Sequence, residues 1–271
     1  MKLSLSEIST VGASFAEDVA AYADAGFDGI GVWEFKLADD DAANLALLDA
    51  HGLGVANCVP SVPSFLQLAI PGMEGPADPA ERSEAICASI RRLAAYRPAS
   101  IVCPSGPLGG RSEAEGRAIV IDGLKRAVEV ARAHGVRLGL EPVHPSDRET
   151  VGFITSLADA AALLDEAGLD DVGIMFDTCH ASDDPTALAW LTANIARVSG
   201  VHVADRPPPG RTDRVLPGEA GSRSAELVAA LRAAGWDGYH DVEIFSTPEA
   251  FWGLPVGEAA SRAYAAVSRL A

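Results

Sequence analysis

One local phrase recurs along the whole chain: an Ala-rich amphipathic helix, a glycine or proline break, a short apolar strand, then a polar loop. Successive strands joined through helices call for crossover connections, so this alternation predicts a parallel sheet covered by helices. Apolar residues three and four apart mark helices near 14–25, 39–51, 78–96, 112–134, 156–167, 184–198, 222–234 and 248–270. Strand patterns lie near 2–7, 29–34, 54–59, 99–104, 136–142, 172–178, 200–205 and 238–245. The joints AYADAGFDG, LDAHGLG, ARAHGVR, LDEAGLDD and LRAAGWDG each place glycine just past a helix, where a left-handed residue closes the last turn. Eight strands and eight helices in 271 residues fit one α/β domain over 1–271, a closed (β/α)8 barrel, which takes about 250 residues. An open doubly wound sheet is the other arrangement. Neither GxGxxG nor a GxxxxGK motif follows its first strand, so the nucleotide chemistry usual for that sheet has no support.

Hydrophobic residues make up 48% and charged residues 22%, enough to bury a sizeable core. The formal net charge of −17 repels phosphate backbones, which disfavours a nucleic-acid partner. Cys58, Cys87, Cys103 and Cys179 show no CxxC spacing and lie inside apolar patterns, so they read as reduced core thiols. The start MKLSLSEIST lacks a signal-peptide pattern, and no apolar run approaches the roughly 20 residues needed to cross a bilayer. The expectation is a cytoplasmic protein with no membrane partner.

Four potential metal ligands stand at the ends of the last four strand patterns: Glu141 in VRLGLEPVH, Asp177 in VGIMFDTCH, His202 in VSGVHVADR and Glu243 in GYHDVEIF. In a parallel barrel the carboxyl ends of all strands converge on one mouth, so these four would meet. A lone acid at a strand end is ordinarily a solvated loop carboxylate. Four such residues closing apolar segments are different, because an unpaired buried carboxylate is costly and three together without a cation would take up protons. Oxygen ligands favour Mg²⁺ or Mn²⁺, and a single imidazole shifts the preference towards Mn²⁺, Fe²⁺ or Co²⁺.

The strings GFDGIGVWE in the first βα unit, LEPVH, FDTCH, HVAD, RVLPGE at 214–219 and DVEIF, in this order and spacing, resemble the sugar phosphate isomerase/epimerase superfamily over nearly the whole chain. These are the xylose isomerase-like TIM barrels, among them tagatose and psicose epimerases, hydroxypyruvate isomerase, inosose isomerases and dehydratases, and dehydroshikimate dehydratases. The resemblance implies one divalent metal on Glu141, Asp177, His202 and Glu243, Mn²⁺ first, with Mg²⁺, Co²⁺, Fe²⁺ or Zn²⁺ as alternatives. It makes Glu141 and Glu243 the acid and base as well. The implied substrate is a sugar, cyclitol or small hydroxy-ketone, isomerised or epimerised by proton transfer through a metal-stabilised cis-enediolate. A dehydratase of inosose or dehydroshikimate type would use the same enolate to expel a hydroxyl. A dimer or tetramer is the oligomer such a family implies.

The resemblance also gives His180, in DxxH after Asp177, a hydrogen bond to a substrate oxygen, and Arg214 a similar role. In the family a glycine soon follows PG in that segment, often as PGxG, whereas PGEA here delays it to Gly221. Trp33 and Glu34 at the end of strand two correspond to a substrate wall, and Trp33 fits barrel core as readily. His144, three residues past Glu141, lies where it either lines the site or is a plain loop residue. Trp252 lies near the mouth, wall or core alike. Arg206, Arg211, Arg214 and Arg223 lie within one loop; they mark either an anionic group on the substrate or pairs with surface carboxylates. His51 and His134 end helices and complement their dipoles, and His240 begins strand eight, far from its functional end.

Two further readings are weaker. DTCHA also resembles abasic-site endonucleases of this superfamily, but ANCVPS and IVCPSG lack their extra histidines, and the loop reads DRVLPG where another would stand. A barrel subunit of a C-glycoside-cleaving complex would keep the ligand set and need a partner protein.

Overall fold

The computed structural model describes residues 1–208 and 210–270. Eight parallel strands follow one another in order, β1 to β8, and close into a barrel. They are β1 (Lys2–Ser6), β2 (Gly29–Trp33), β3 (Gly54–Val59), β4 (Ile101–Pro104), β5 (Leu138–Glu141), β6 (Gly173–Asp177), β7 (Val198–Val203) and β8 (Tyr239–Val242). The helices between them are α1 (Phe15–Ala25), α2 (Asp41–His51), α3 (Pro79–Leu93), α4 (Glu113–His134), α5 (Leu157–Ala167), α6 (Ala187–Asn194), α7 (Ser224–Ala233) and α8 (Val256–Ser268). Glycines at all five anticipated joints, Gly26, Gly52, Gly135, Gly168 and Gly235, have positive φ. The starts are equally local: Ser14 and Ser112 make reciprocal capping boxes with Glu17 and Glu115, and Asp78 accepts from the Ala80 and Glu81 amides.

Several boundaries are shorter than the sequence pattern implies. Strand eight, expected to residue 245, ends at Val242 because other partners take its next backbone groups: Ser9 Oγ accepts from Ile244 N at 2.9 Å, and Arg214 N donates to Phe245 O at 2.8 Å. Helix eight, expected from 248, starts at Val256 after a 3-10 turn over Phe251–Gly253. Pro255 fixes that boundary, since a residue before proline is held extended, as Leu254 is at ψ 145°. Helix six begins at Ala187 and not at 184, because the Asp184 side chain accepts from Thr186 N at 2.7 Å.

The chain groups into two compact units. The first comprises Met1–Asn57, Asp177–Ile195 and Val201–Ala271. Its sheet pairs β1 with β2 (Ser4 beside Gly29), β1 with β8 (Ser4 beside Asp241) and β7 with β8 (His202 beside Asp241). Leu5, Ile8, Ile30, Val32, Val203, Val242 and Ala263 are among its fully buried side chains. The second comprises Cys58–Phe176 and Ala196–Gly200. It pairs β3 with β4, β4 with β5 and β5 with β6. Buried Arg82 organises its long 60–78 segment, donating from Nε to Ser64 O (2.8 Å), from one terminal nitrogen to Glu74 O and Pro76 O, and from the other to Ser64 Oγ. All four cysteines are buried and free. Among the described residues no helix is long and apolar enough to cross a membrane.

His240 makes this fold sensitive to acid. It is 1% exposed, and burial lowers its pKa to about 4, with the N-terminal ammonium and Arg232 adding to the effect against backbone groups of Lys2 and Gly238. The unfolded ring titrates near 6.5. Its neutral folded form therefore contributes fully above about pH 6.5, and that contribution is lost as pH falls towards 4, on the order of 3 kcal/mol in all. Urea unfolding between pH 7 and 4 should show wild type losing that much more stability than His240→Gln. Parallel pH profiles for the two proteins would refute it.

Candidate metal and proton-transfer site

The first unit gathers five of the expected residues. Asp177 ends β6, and its Oδ1 is fixed by the Cys179 amide at 2.7 Å, which turns Oδ2 towards the cluster. Thr178 ties this turn to the end of β7: its amide donates to His202 O at 3.0 Å and its hydroxyl to Ala204 O at 2.9 Å. His202 lies inside β7, and Glu243 follows β8 with its amide still on Val203 O. Asp177, His202 and Glu243 are 2%, 1% and 3% exposed, so their charges are settled by one another and not by water.

Arg214 closes the group. The 205–215 segment folds back on itself, with Asp205 and Val215 exchanging both backbone hydrogen bonds. The Arg214 amide is anchored on Phe245 O, and its guanidinium stacks 5.1 Å from the Phe245 ring. One guanidinium nitrogen then lies 2.9 Å from Asp177 Oδ2 and 3.0 Å from Glu243 Oε2, and the other 3.1 Å from His180 Nε2. His202 Nδ1 is 3.4 Å from the same Glu243 oxygen, and His180 Nε2 is 3.7 Å from Asp177 Oδ2. Burial opposes ionisation of Asp177, but Arg214, His180, His202 and the Cys179 amide outweigh it and hold the carboxyl well below the usual range. Two buried carboxylates thus converge on one cationic group, the Arg214 guanidinium. A hard divalent ion with bonds of about 2.1 Å sets neighbouring ligands ~3 Å apart.

The remaining expected residues lie as follows. Trp33 ends β2 and is 6% exposed: its indole Nε1 donates to Ser6 Oγ at 3.0 Å and its amide to Glu7 Oε2 at 2.8 Å. Its ring packs on Phe35 and on Phe245, and Phe245 on Trp252, whose indole donates to Ile244 O. Trp33 is thus a buried, anchored ring one aromatic contact from Arg214. Glu34 is buried at the start of a short 3-10 turn. Glu141 ends β5 in the second unit and is buried. His144, in the same unit, uses Nδ1 to accept from Ser146 N at 3.1 Å and caps a 3-10 turn, so this nitrogen serves the loop. Of the four loop arginines, Arg214 faces the ligands, while Arg223 pairs with Glu226 and donates to Asp184 O.

Two buried polar groups escaped the sequence reading. Asp241 lies inside β8 with Asn57 donating to it at 2.8 Å. Glu7, after β1, joins Asp18 and Lys36 in a network beside Trp33. Alternation along β8 is the signal for the first, since Asp241 and Glu243 are two apart and share a face. For the second the signal is an acid directly at the end of the first strand.

A family model for the xylose isomerase-like TIM barrel matches residues 19–266. No curated protein matches the chain. Among solved structures, a protein of Sinorhizobium meliloti superposes with a TM-score of 0.85 at 22% identity, covering 99% of this chain and 98% of that one. The IolI protein with a bound zinc atom gives 0.80 at 20% identity, covering 100% and 98%. The 3-keto-D-glucoside 4-epimerase YcjR of E. coli gives 0.75 at 21%, again covering 100% and 98%. At such identities the likeness establishes the fold.

Proposed function

The chain belongs to the xylose isomerase-like TIM-barrel family, and we propose that it is a divalent-metal isomerase or epimerase of a small polyhydroxy carbonyl compound. The observation that carries this reading is the buried convergence of Asp177 and Glu243 on the Arg214 guanidinium, with His202 Nδ1 3.4 Å from the same Glu243 oxygen, so that the guanidinium stands where negative charge needs a counter-ion. Buried Asp177 and His202 are residue types that a divalent ion accepts, and in this reading Glu243 and Glu141 complete its ligands. Mn²⁺ suits three carboxylates and one imidazole.

A bound ion polarises the substrate carbonyl and acidifies the neighbouring C–H. The chain's residues do the rest. Glu243 removes or returns the proton on one face of the carbon next to the carbonyl, and Glu141 does so on the other. Return to the opposite face inverts the centre, and return to the adjacent carbon moves the carbonyl. Arg214 and His180 bind substrate oxygens beside the two carboxylates, and the Trp33, Phe245 and Trp252 rings give one side of the site an apolar wall. Pairing with an anionic substrate group would fall to Arg206 and Arg211 of the 205–223 loop.

Mn²⁺-loaded protein incubated in D₂O with ketoses, inososes and hydroxypyruvate should place deuterium on the carbon next to the carbonyl of at least one compound, read by NMR. A mass-neutral product identifies isomerisation or epimerisation. A new ultraviolet band from a conjugated enone would transfer the reading to a dehydratase, and exchange with none of these compounds, with or without metal, would count against proton transfer altogether.

A further inference from the structure

Asp241 is fully buried inside β8, two residues before Glu243 and therefore on the same face of the strand. A buried carboxylate needs a reason, since its desolvation is costly unless it is paired or hydrogen-bonded. The surrounding chain makes room for it. A Cβ at Gly31 would collide with the Asp241 carboxylate, so only glycine fits opposite, and Asn57 Nδ2 donates to its Oδ2 at 2.8 Å. This amide fixes where the carboxylate points. His202 lies directly beside Asp241 in the β7–β8 register, and its Nε2 is 3.7 Å from the same Oδ2. The other ring nitrogen, Nδ1, lies 3.4 Å from Glu243 Oε2, so the imidazole stands between Asp241 and Glu243 with one nitrogen turned to each.

We propose that Asp241 is a positioning residue for His202: it accepts the Nε2–H of the neutral ring and so presents the Nδ1 lone pair to the ion shared with Glu243. The inference rests on the metal reading above and adds to it the tautomer and its cause. An imidazole ligates only through an unprotonated nitrogen, so a carboxylate that holds the proton on the far nitrogen decides which one is available. The gap of 3.7 Å is about half an ångström beyond hydrogen-bond range, and the proposal requires it to close. The arrangement makes His202 a ligand set from behind by a side chain that never touches substrate.

Two measurements test this. Long-range ¹H–¹⁵N NMR of the metal-free wild-type protein should show His202 as the Nε2–H tautomer. Asp241→Asn, nearly isosteric but able to turn a donor towards Nε2, should lose that preference and bind Mn²⁺ about 10- to 100-fold more weakly by calorimetry. A wild-type His202 protonated on Nδ1 overturns the proposal, as does an Asp241→Asn protein whose Mn²⁺ affinity stays within about threefold of wild type. The tautomer is read without metal and needs no variant, so it decides the role of Asp241 even if the variant fails to fold. Absence of Mn²⁺ binding by the wild-type protein is a separate result, and it strikes the metal reading and not the tautomer.

Discussion

Glu243→Gln should abolish deuterium exchange into substrate, by about 10³- to 10⁴-fold, while leaving the protein folded. Glutamine keeps the shape of the side chain and one carbonyl oxygen for Arg214, but it neither takes a proton nor carries the charge that a cation needs. General acid–base catalysis alone accounts for about 10²- to 10⁴-fold, and a weakened ion adds to the loss. The fold should tolerate the change because Arg214 keeps its other carboxylate, Asp177, at 2.9 Å, and because one of two close negative charges is removed. His144→Gln is the contrasting variant. Its Nδ1 already caps the 145–147 turn, and exchange should stay within about threefold of wild type. The readout is NMR exchange rate at saturating Mn²⁺, with circular dichroism as the check on folding. If Glu243→Gln exchanges within tenfold of wild type, Glu243 is not the base, and the proton-transfer role passes to another carboxylate.

The parts of this site that were legible in the sequence are those that interrupt an apolar pattern at a strand end. Glu141, Asp177 and Glu243 each follow three or more residues of buried strand, and the parallel order of the sheet then fixes that they sit at corresponding ends. Asp241 was hidden by the same logic. In GYHDVEIF the alternation puts Asp241 on the face of Glu243, but it is not at the strand end, and its partners Asn57 and Gly31 lie far away in sequence. Arg214 lies between these cases. The RVLPGE string marked it, but its contact with Asp177 and Glu243 depends on a backbone bond to Phe245 and on the Asp205–Val215 ribbon, neither of which has a local signature. The Glu7, Asp18 and Lys36 network was only partly readable, for a third reason: Glu7 is marked as an acid directly after the first strand, but Asp18 on α1 and Lys36 in the 3-10 turn after β2 each have an ordinary surface reading on their own.

That network yields the largest expected change in stability. Lys36 is 4% exposed at its side chain and Asp18 fully buried, and the two form an ion pair. The ammonium also donates to Thr10 O at 2.9 Å and Glu7 O at 3.2 Å, while Thr10 Oγ1 donates to Asp18 Oδ1 at 2.7 Å. Burial raises the carboxyls of both Glu7 and Asp18, and Lys36 is the main group opposing that rise. Lys36→Met removes the buried cation that opposes the rise of both acids and should cost about 3–5 kcal/mol at pH 8, a large share of the 5–15 kcal/mol that holds a typical domain together. The pH dependence follows from the sign of the shift. A carboxyl whose folded pKa is raised binds its proton more tightly folded than unfolded, so the folded state gains as pH falls, and loss of Lys36 raises these carboxyls further. The deficit of Lys36→Met should therefore shrink between pH 8 and 5, opposite in direction to the His240 effect. Asp18→Asn in the same background should recover part of it by removing the stranded charge. Because Glu7 Oε2 accepts the Trp33 amide, the loosened network should also slow exchange at the site through Trp33. Urea unfolding of the two variants and the wild type at both pH values is the measurement, and a Lys36→Met cost below about 1 kcal/mol would mean the ion pair contributes no more than an exposed one.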